Sequence, residues 1–251
     1  MKTYWVIQGH TQYVTEVLEN FKNVDNVIWS TEDDIPEDDR LAIDESNIEL
    51  LQIPRSESSY GRLTIHSDSA CAGIQRAKEL GAEYVIKLRS DLTISDHDKF
   101  LKVIRRDGKL HGHAYVNHVG RFCDPPHVIS HTYNWLYQFR SKLYNFSNCN
   151  YITDWIHHGP VDEVLLYYGG VLRDRLDEPI ICEVRFAASY LMNKNLPIDL
   201  SYASLTNNIG LFMGNLYDNN IELYSLKEDF NYSRMFDKSY LPKAVPEAYL
   251  R

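Results

Sequence analysis

The segment YVIKLRSDL, residues 84–92, runs an apolar stretch directly into a base, a hydroxyl and an acid. An Asp at the end of a strand offers hard oxygen ligands for Mg²⁺ or Mn²⁺, an ion it can share with the phosphates of a substrate. That makes Asp91 a candidate metal ligand, and Lys87 or Arg89 candidates for neutralising a diphosphate. The same spacing also fits a plain strand end, with Asp91 capping the next turn and Lys87 and Arg89 as solvated charges. A second concentration lies in YITDWIHHGPVDEVLLYYG, residues 151–169, which holds Asp154, Trp155, His157, His158, Asp162 and Glu163 around a Gly-Pro break. Acids and imidazoles at a loop-to-helix junction can supply a general base or a metal ligand. Equally, Gly159-Pro160 can start a helix whose first turn is favoured by Asp162 and Glu163. Glu183, at the start of the apolar run that follows, is either a base or a partner for a helix dipole.

Other chemistries find little support. His111, His113, His118, His127 and His131 fall in no HExxH and in no Cys/His finger spacing, and read as scattered core or surface histidines. There is no GxxxxGK[ST], GxGxxG or GxSxG, which argues against P-loop, dinucleotide-binding and serine-hydrolase sites. The aromatic-rich tail (Tyr217, Tyr224, Phe230, Tyr232, Phe236, Tyr240) reads as core and edge packing before it reads as a sugar platform.

The elements that must hold these groups alternate through the first half. Tyr4–Gln8, Val27–Ser30, Ile48–Ile53 and Tyr84–Leu88 read as short buried strands. Thr11 is placed to cap a helix reaching about Phe21, with Val14, Val17, Leu18 and Phe21 at helical spacing. Residues 31–40, TEDDIPEDDR, read as a solvated acidic loop, and 54–64 as a second loop. A helix is expected from Ala70 to Leu80, closed by Gly81. This order predicts an α/β, mostly parallel sheet flanked by helices, in which ligands bind beyond the carboxyl ends of the strands. Gln8-Gly9-His10-Thr11, Ser30-Thr31 and Arg89-Ser90-Asp91 all fall at those ends. The second half is less regular. Helices are expected over 95–106, 132–143, 161–168 and 181–192, strands over 111–118 and 150–153, and a hairpin within 207–226 turning near Asp218-Asn219-Asn220. No linker divides the chain, so residues 1–251 read as one domain with a donor-side half, 1–94, and an acceptor-side half, 95–251.

The chain carries 26 Lys+Arg against 35 Asp+Glu, a formal charge of −9, so it lacks the broad positive field that captures nucleic acid or anionic lipid. Cys71, Cys123, Cys149 and Cys182 form no CxxC and read as reduced thiols. No run approaches the length of a membrane span and the first residues lack a signal-like apolar region, so a cytoplasmic protein is expected.

Taken together, these segments resemble the WavE lipopolysaccharide-synthesis family, glycosyltransferases of GT-A-like fold. The likeness covers roughly residues 4–193. It rests on Gln8-Gly9 after the first strand, Ser30-Thr31 after the second, and a helix with Ser69 and Gly73 preceding YVIKLRSD. Downstream it rests on TDWIHHGPVDEV and on Glu183 before a helix. The resemblance implies transfer of a sugar from a nucleotide-sugar donor to a glycan or lipid-linked glycan acceptor, in polysaccharide or lipopolysaccharide synthesis. It further implies that Gln8, Gly9, Thr11, Ser30 and Thr31 line the nucleotide, that Lys87 or Arg89 assists the phosphates, and that Asp91 holds Mn²⁺ or Mg²⁺. His157 or His158 would complete the metal shell, and Glu183, then Asp162, would serve as acceptor base. Two other readings stay open: a non-catalytic sugar-nucleotide or glycan-binding module, and a metal-dependent nucleotidyltransferase.

Overall fold

A computed structural model of the chain describes residues 1–32, 34–55, 62–94, 96–104, 106, 108–115, 151–169, 186, 189–190, 192–195, 221–224 and 232–234. The first strands form where the sequence places its apolar runs: β1 Thr3–Gln8, β2 Val27–Thr31, β3 Ile48–Gln52 and β4 Tyr84–Arg89. They pair in parallel in the order β3-β2-β1-β4. Next to β4 comes β7, Tyr151–Pro160, which is antiparallel to β4 and to β6, Leu110–Tyr115. The strand β8, Ile221–Tyr224, closes this edge parallel to β6. Among the seven described strands of this sheet, β7 alone runs against the others. The architecture is therefore the expected mostly parallel α/β sheet flanked by helices. A small ribbon pairs β5, Leu92–Ile94, with β9, Tyr232–Arg234.

Strand alternation sorts the side chains onto two faces. Trp5, Ile7, Val27, Trp29, Tyr84, Ile86, Leu88 and Ile156 join one apolar core. Covering it are Val17 and Phe21 of α1 (Val14–Phe21), Ile43 of α2 (Glu37–Asp44), Leu92 and Ile94 of β5, and Phe100 of α4 (His97–Val103). On this face the His97 ring packs against Trp5 and Phe21, and burial holds its imidazole below the usual histidine range. The other face carries Val6, Gln8, Ser30 and Lys87. It is covered by α3, Arg62–Glu79, and α5, Val161–Gly169, which also pack on each other.

Gly73 sets how closely α3 approaches. A Cβ there would lie 2.5 Å from Val6 Cγ1 and 3.1 Å from Ser30 Cβ. Val6 is fully buried and β-branched, so it has little room to yield. Gly73→Ala gains up to about 1 kcal/mol of helix propensity, but overpacking at such a contact costs about 1–3 kcal/mol. The expected net result is a lower melting temperature, and a more stable variant would show that the helix can shift outwards.

Several elements depart from the sequence reading. The N-cap of α1 is Tyr13, without a side-chain cap, and Thr11 instead lends its carbonyl to Val14 N at 2.9 Å. The acidic stretch is not all loop. Pro36 precedes α2, and Glu37, Asp38 and Asp39 occupy its first turn, where the helix dipole favours carboxylates. The third helix starts at Arg62, inside the expected loop, and ahead of the expected start at Ala70, Ser67 Oγ donates to Tyr168 O at 2.9 Å. Asp96 caps α4 by accepting from Lys99 N at 2.8 Å, which shortens the expected helix. The segment 151–160 is a full strand rather than a loop-to-helix junction. The expected helix over 132–143, His118, His127, His131 and the turn at 218–220 lie outside the described residues.

Candidate functional site

The chain adds β2 and β3 on one side of β1, then returns to lay β4 on the other. Strand order thus reverses between β1 and β4. In open α/β sheets a crevice for ligands forms at the carboxyl ends of such neighbouring strands. Register brings Ser30, Gln8 and Arg89 into one row across β2, β1 and β4. Beyond that row the backbone crosses tightly, with Ser90 N donating to Gln8 O at 2.9 Å and Gly9 N donating to Ser30 O at 3.2 Å. The three polar segments expected at the strand ends therefore do meet.

Gly9 is required at this crossing. Its φ of +129° lies in a region that side chains disfavour, and a Cβ would stand 2.7 Å from Ser90 Oγ. Trp29 Nε1 donates to Gly9 O at 3.1 Å and ties the turn to the core. Gln8, Thr11, Ser30, Thr31 and Ser90 are all buried. Ser30 Oγ makes no hydrogen bond among the described residues, and its side chain is fully buried against Gly73 of α3. Glu32, read in the sequence as part of a solvated loop, is buried just past the end of β2.

Arg89 and Asp91 face each other across Ser90. Arg89 Nε donates to Asp91 Oδ1 and Nη2 to Oδ2, both at 2.9 Å, a two-pronged ion pair. The two side chains keep 23% and 15% of their exposure, so the pair sits at the lip of the crevice. Lys87 lies below. It is fully buried, two residues short of the strand end, with its ammonium 4.9 Å from the centre of the Tyr168 ring. Tyr168 Oη and His157 Nδ1 share a hydrogen bond of 2.6 Å, so Lys87, His157 and Tyr168 form a buried polar unit between sheet and α5.

The downstream residues do not join this group. His158 pairs in register with Ile86, five positions before Asp91, and belongs to the opposite face. Its Nδ1 is bonded to Tyr84 Oη at 2.6 Å and its ring is stacked on His111 at 4.8 Å. It is a core histidine, and the structure does not bring it to Asp91. Asp162 lies at the other end of the sheet, where Val161 N donates to Glu83 O just before β4 begins. It is 72% exposed and paired with Lys78 Nζ at 2.7 Å. Glu183 lies outside the described residues. The sequence reading placed Ser90 in a polar segment at a strand end but missed Trp29, which ties the Gly9 turn to the core. Gly73 carried a signal, since a glycine inside a helix usually marks a close approach.

As a cation site the Arg89–Asp91 turn offers one carboxylate, Asp91. Among the described residues, no three His, Cys, Asp or Glu side chains converge. One carboxylate cannot cage an ion, but it suits Mg²⁺ or Mn²⁺ arriving on substrate phosphates. The donor set thus fits a cation held jointly with a diphosphate. At the far side, two residues are tied to α5: Tyr190 Oη donates to Glu163 Oε2 at 2.6 Å, and Lys194 pairs with Oε1 of the same carboxylate. Burial and the neighbouring Glu163 push the Tyr190 hydroxyl above its ordinary range, so it remains a donor. A separate open groove of about 960 Å³, lined by Asn20, Asn26, Asp96, His97 and Arg106 among others, opens on the α1 and α4 side, away from the crevice. No helix among the described residues is long and apolar enough to cross a membrane.

No protein-family model matches the chain, and no curated protein sequence does. Among solved structures, the chain is similar to the mannose-1-phosphate geranyltransferase from Thermus thermophilus, at 12% identity and a TM-score of 0.43, over 93% of this chain and 76% of that one. A likeness of that degree adds nothing to the strand order described above.

Proposed function

We propose that the chain transfers a sugar from a nucleotide-sugar donor to a glycan or lipid-linked glycan acceptor. The observation that carries this reading is the meeting of Gln8–Thr11, Ser30–Thr31 and Arg89–Asp91 where the strand order reverses. A fold alone licenses no function, so the weight rests on the residues at that point. Gln8, Thr11, Ser30 and Thr31 offer hydrogen-bonding groups to a nucleoside. Gly9 lets backbone approach the phosphates. Arg89 supplies a two-pronged donor for a phosphate, and Lys87 adds positive potential from below. Asp91 holds Mn²⁺ or Mg²⁺ jointly with the diphosphate. When bound, that cation stabilises the charge gained by the departing nucleoside diphosphate. Removing the acceptor proton falls to a carboxylate, for which Glu183 is the candidate. Asp162, at the opposite end of the sheet, has no part in this reading.

Thermal unfolding with a panel of nucleoside diphosphates and nucleotide sugars, each with and without Mn²⁺, tests it. A ligand at about 100 times its dissociation constant stabilises by about 2.7 kcal/mol, which is roughly 5–11 °C for a chain of this size. A Mn²⁺-dependent shift with one base is expected. The absence of any shift, with or without metal, would remove the donor pocket and with it the reading.

A further inference from the structure

We infer that His97 is a pH-operated latch: while neutral its ring fastens the first turn of α4 to the sheet, and when protonated it swings into the adjoining groove and frees that turn. The ring is wedged, steeply inclined, between two elements, its centroid 5.1 Å from that of Trp5 on β1 and 4.7 Å from that of Phe21 on α1. Among the described residues its Nε2 is buried and has no hydrogen-bond partner. A neutral imidazole tolerates one unpaired ring nitrogen. An imidazolium does not, because both nitrogens then carry protons and the charge needs solvation. The groove supplies the second position. His97 is only half-buried and lines this opening of about 960 Å³ beside α1, α4 and the start of β1. The charges there favour a cation. The Met1 amine is taken up by Glu83 at 3.5 Å, Lys2 Nζ by Leu80 O at 2.7 Å, and Lys22 by Glu19. That leaves Glu16 of α1, Asp25 of the turn into β2, and Asp96 and Asp98 of α4 facing one guanidinium, Arg106, which sits over the Tyr84 ring at 5.6 Å. In the closed position, burial outweighs the pull of Asp96 and Asp98 on the ring's charge; in the open groove that pull remains and the burial is gone. Asn20 confines the motion. Its side chain accepts from Ile94 N at 3.1 Å and donates to Ile94 O at 2.8 Å, so β5 stays clipped to α1 while α4 loosens. The latch is therefore independent of the donor-site reading.

Burial makes the ring harder to protonate in the folded chain than in the unfolded one. The stability it contributes is therefore complete above about pH 6.5 and is lost as pH falls below that value. Amide exchange followed by nuclear magnetic resonance reads the latch directly, because Lys99 N and Phe100 N both bond to Asp96 in the first turn of α4. After correction for the intrinsic exchange rate, opening at these two amides is expected to rise by up to about 10-fold per unit below about pH 6.5, the ceiling for one proton. His97→Phe keeps a ring against Trp5 and Phe21 but takes no proton, so its opening should stay flat over the same range. His97→Leu serves the same comparison where Phe does not fit. An equal rise in the variants and the unaltered chain would place the effect on another group and overturn the latch. A change of less than about 2-fold in the unaltered chain, far under the one-proton ceiling, would overturn it too. Titration of the His97 ring signals in the unaltered chain decides the matter without any variant. The ring's proton contacts with Trp5 and Phe21 should vanish as it takes up charge; a charged ring that keeps them would end the proposal.

Discussion

Asp91→Asn is expected to lower sugar transfer by about 10²–10³-fold, the loss typical of removing one group that stabilises charge in the transition state. The same variant should keep its fold. Asn matches Asp in shape and can still accept one hydrogen bond from Arg89, so part of that link is kept. The melting temperature without ligand is therefore expected to move by no more than a few degrees. Rate and melting temperature must be measured on one preparation, because their separation carries the meaning. A rate within about 3-fold of the unaltered chain at saturating Mn²⁺ would remove Asp91 from the reaction. A collapse of both would mean that the Arg89 pair is a strut of the turn rather than a ligand set.

Trp29→Ala is expected to have the largest effect on stability. Trp29 is fully buried in β2, and its side chain belongs to the core that α1, α2 and α4 cover. Emptying such a site costs about 3–5 kcal/mol, or roughly 6–20 °C in melting temperature for a chain of this length. The variant also removes the donor to Gly9 O. Trp29→Phe separates the two roles, since it fills much of the space but leaves the carbonyl without its bond. It should recover most of the stability while loosening the Gly9 turn, which will be seen as weaker nucleotide binding in the thermal-shift panel. A Trp29→Ala chain melting within about 2 °C of the parent, well under the range expected for an emptied core site, would mean that the core collapses into the gap.

The strands β1 to β4 were legible because their apolar runs are bounded by glycine, acids and loops, and because alternation with helices dictates parallel pairing. The polar segments at their ends could be named for the same reason. The strand β7 was not legible. From Ile156 to His158 it is buried on both faces, so it shows no alternation, and its histidines resemble a catalytic cluster until Tyr84 and Tyr168 are seen to bond them. Ahead of Ala70, α3 was hidden because a polar residue there, Ser67, finds its partner 101 positions away, at Tyr168 O.

By itself, then, the sequence determined the local decisions: which runs become strands, where a glycine must turn, and which polar residues stand at strand ends. Those depend on neighbours within a few positions. Only the tertiary structure decided the partnerships between Arg89 and Asp91 within the crossing, and between Lys87 and Tyr168, and the separation of His158 and Asp162 from the crevice. The physical reason is that an ionisable side chain's role is set by what it faces. A strand residue reaches one face or the other by a single step of register, and an antiparallel β7 carries Asp162 away from the end of the sheet where Asp91 stands.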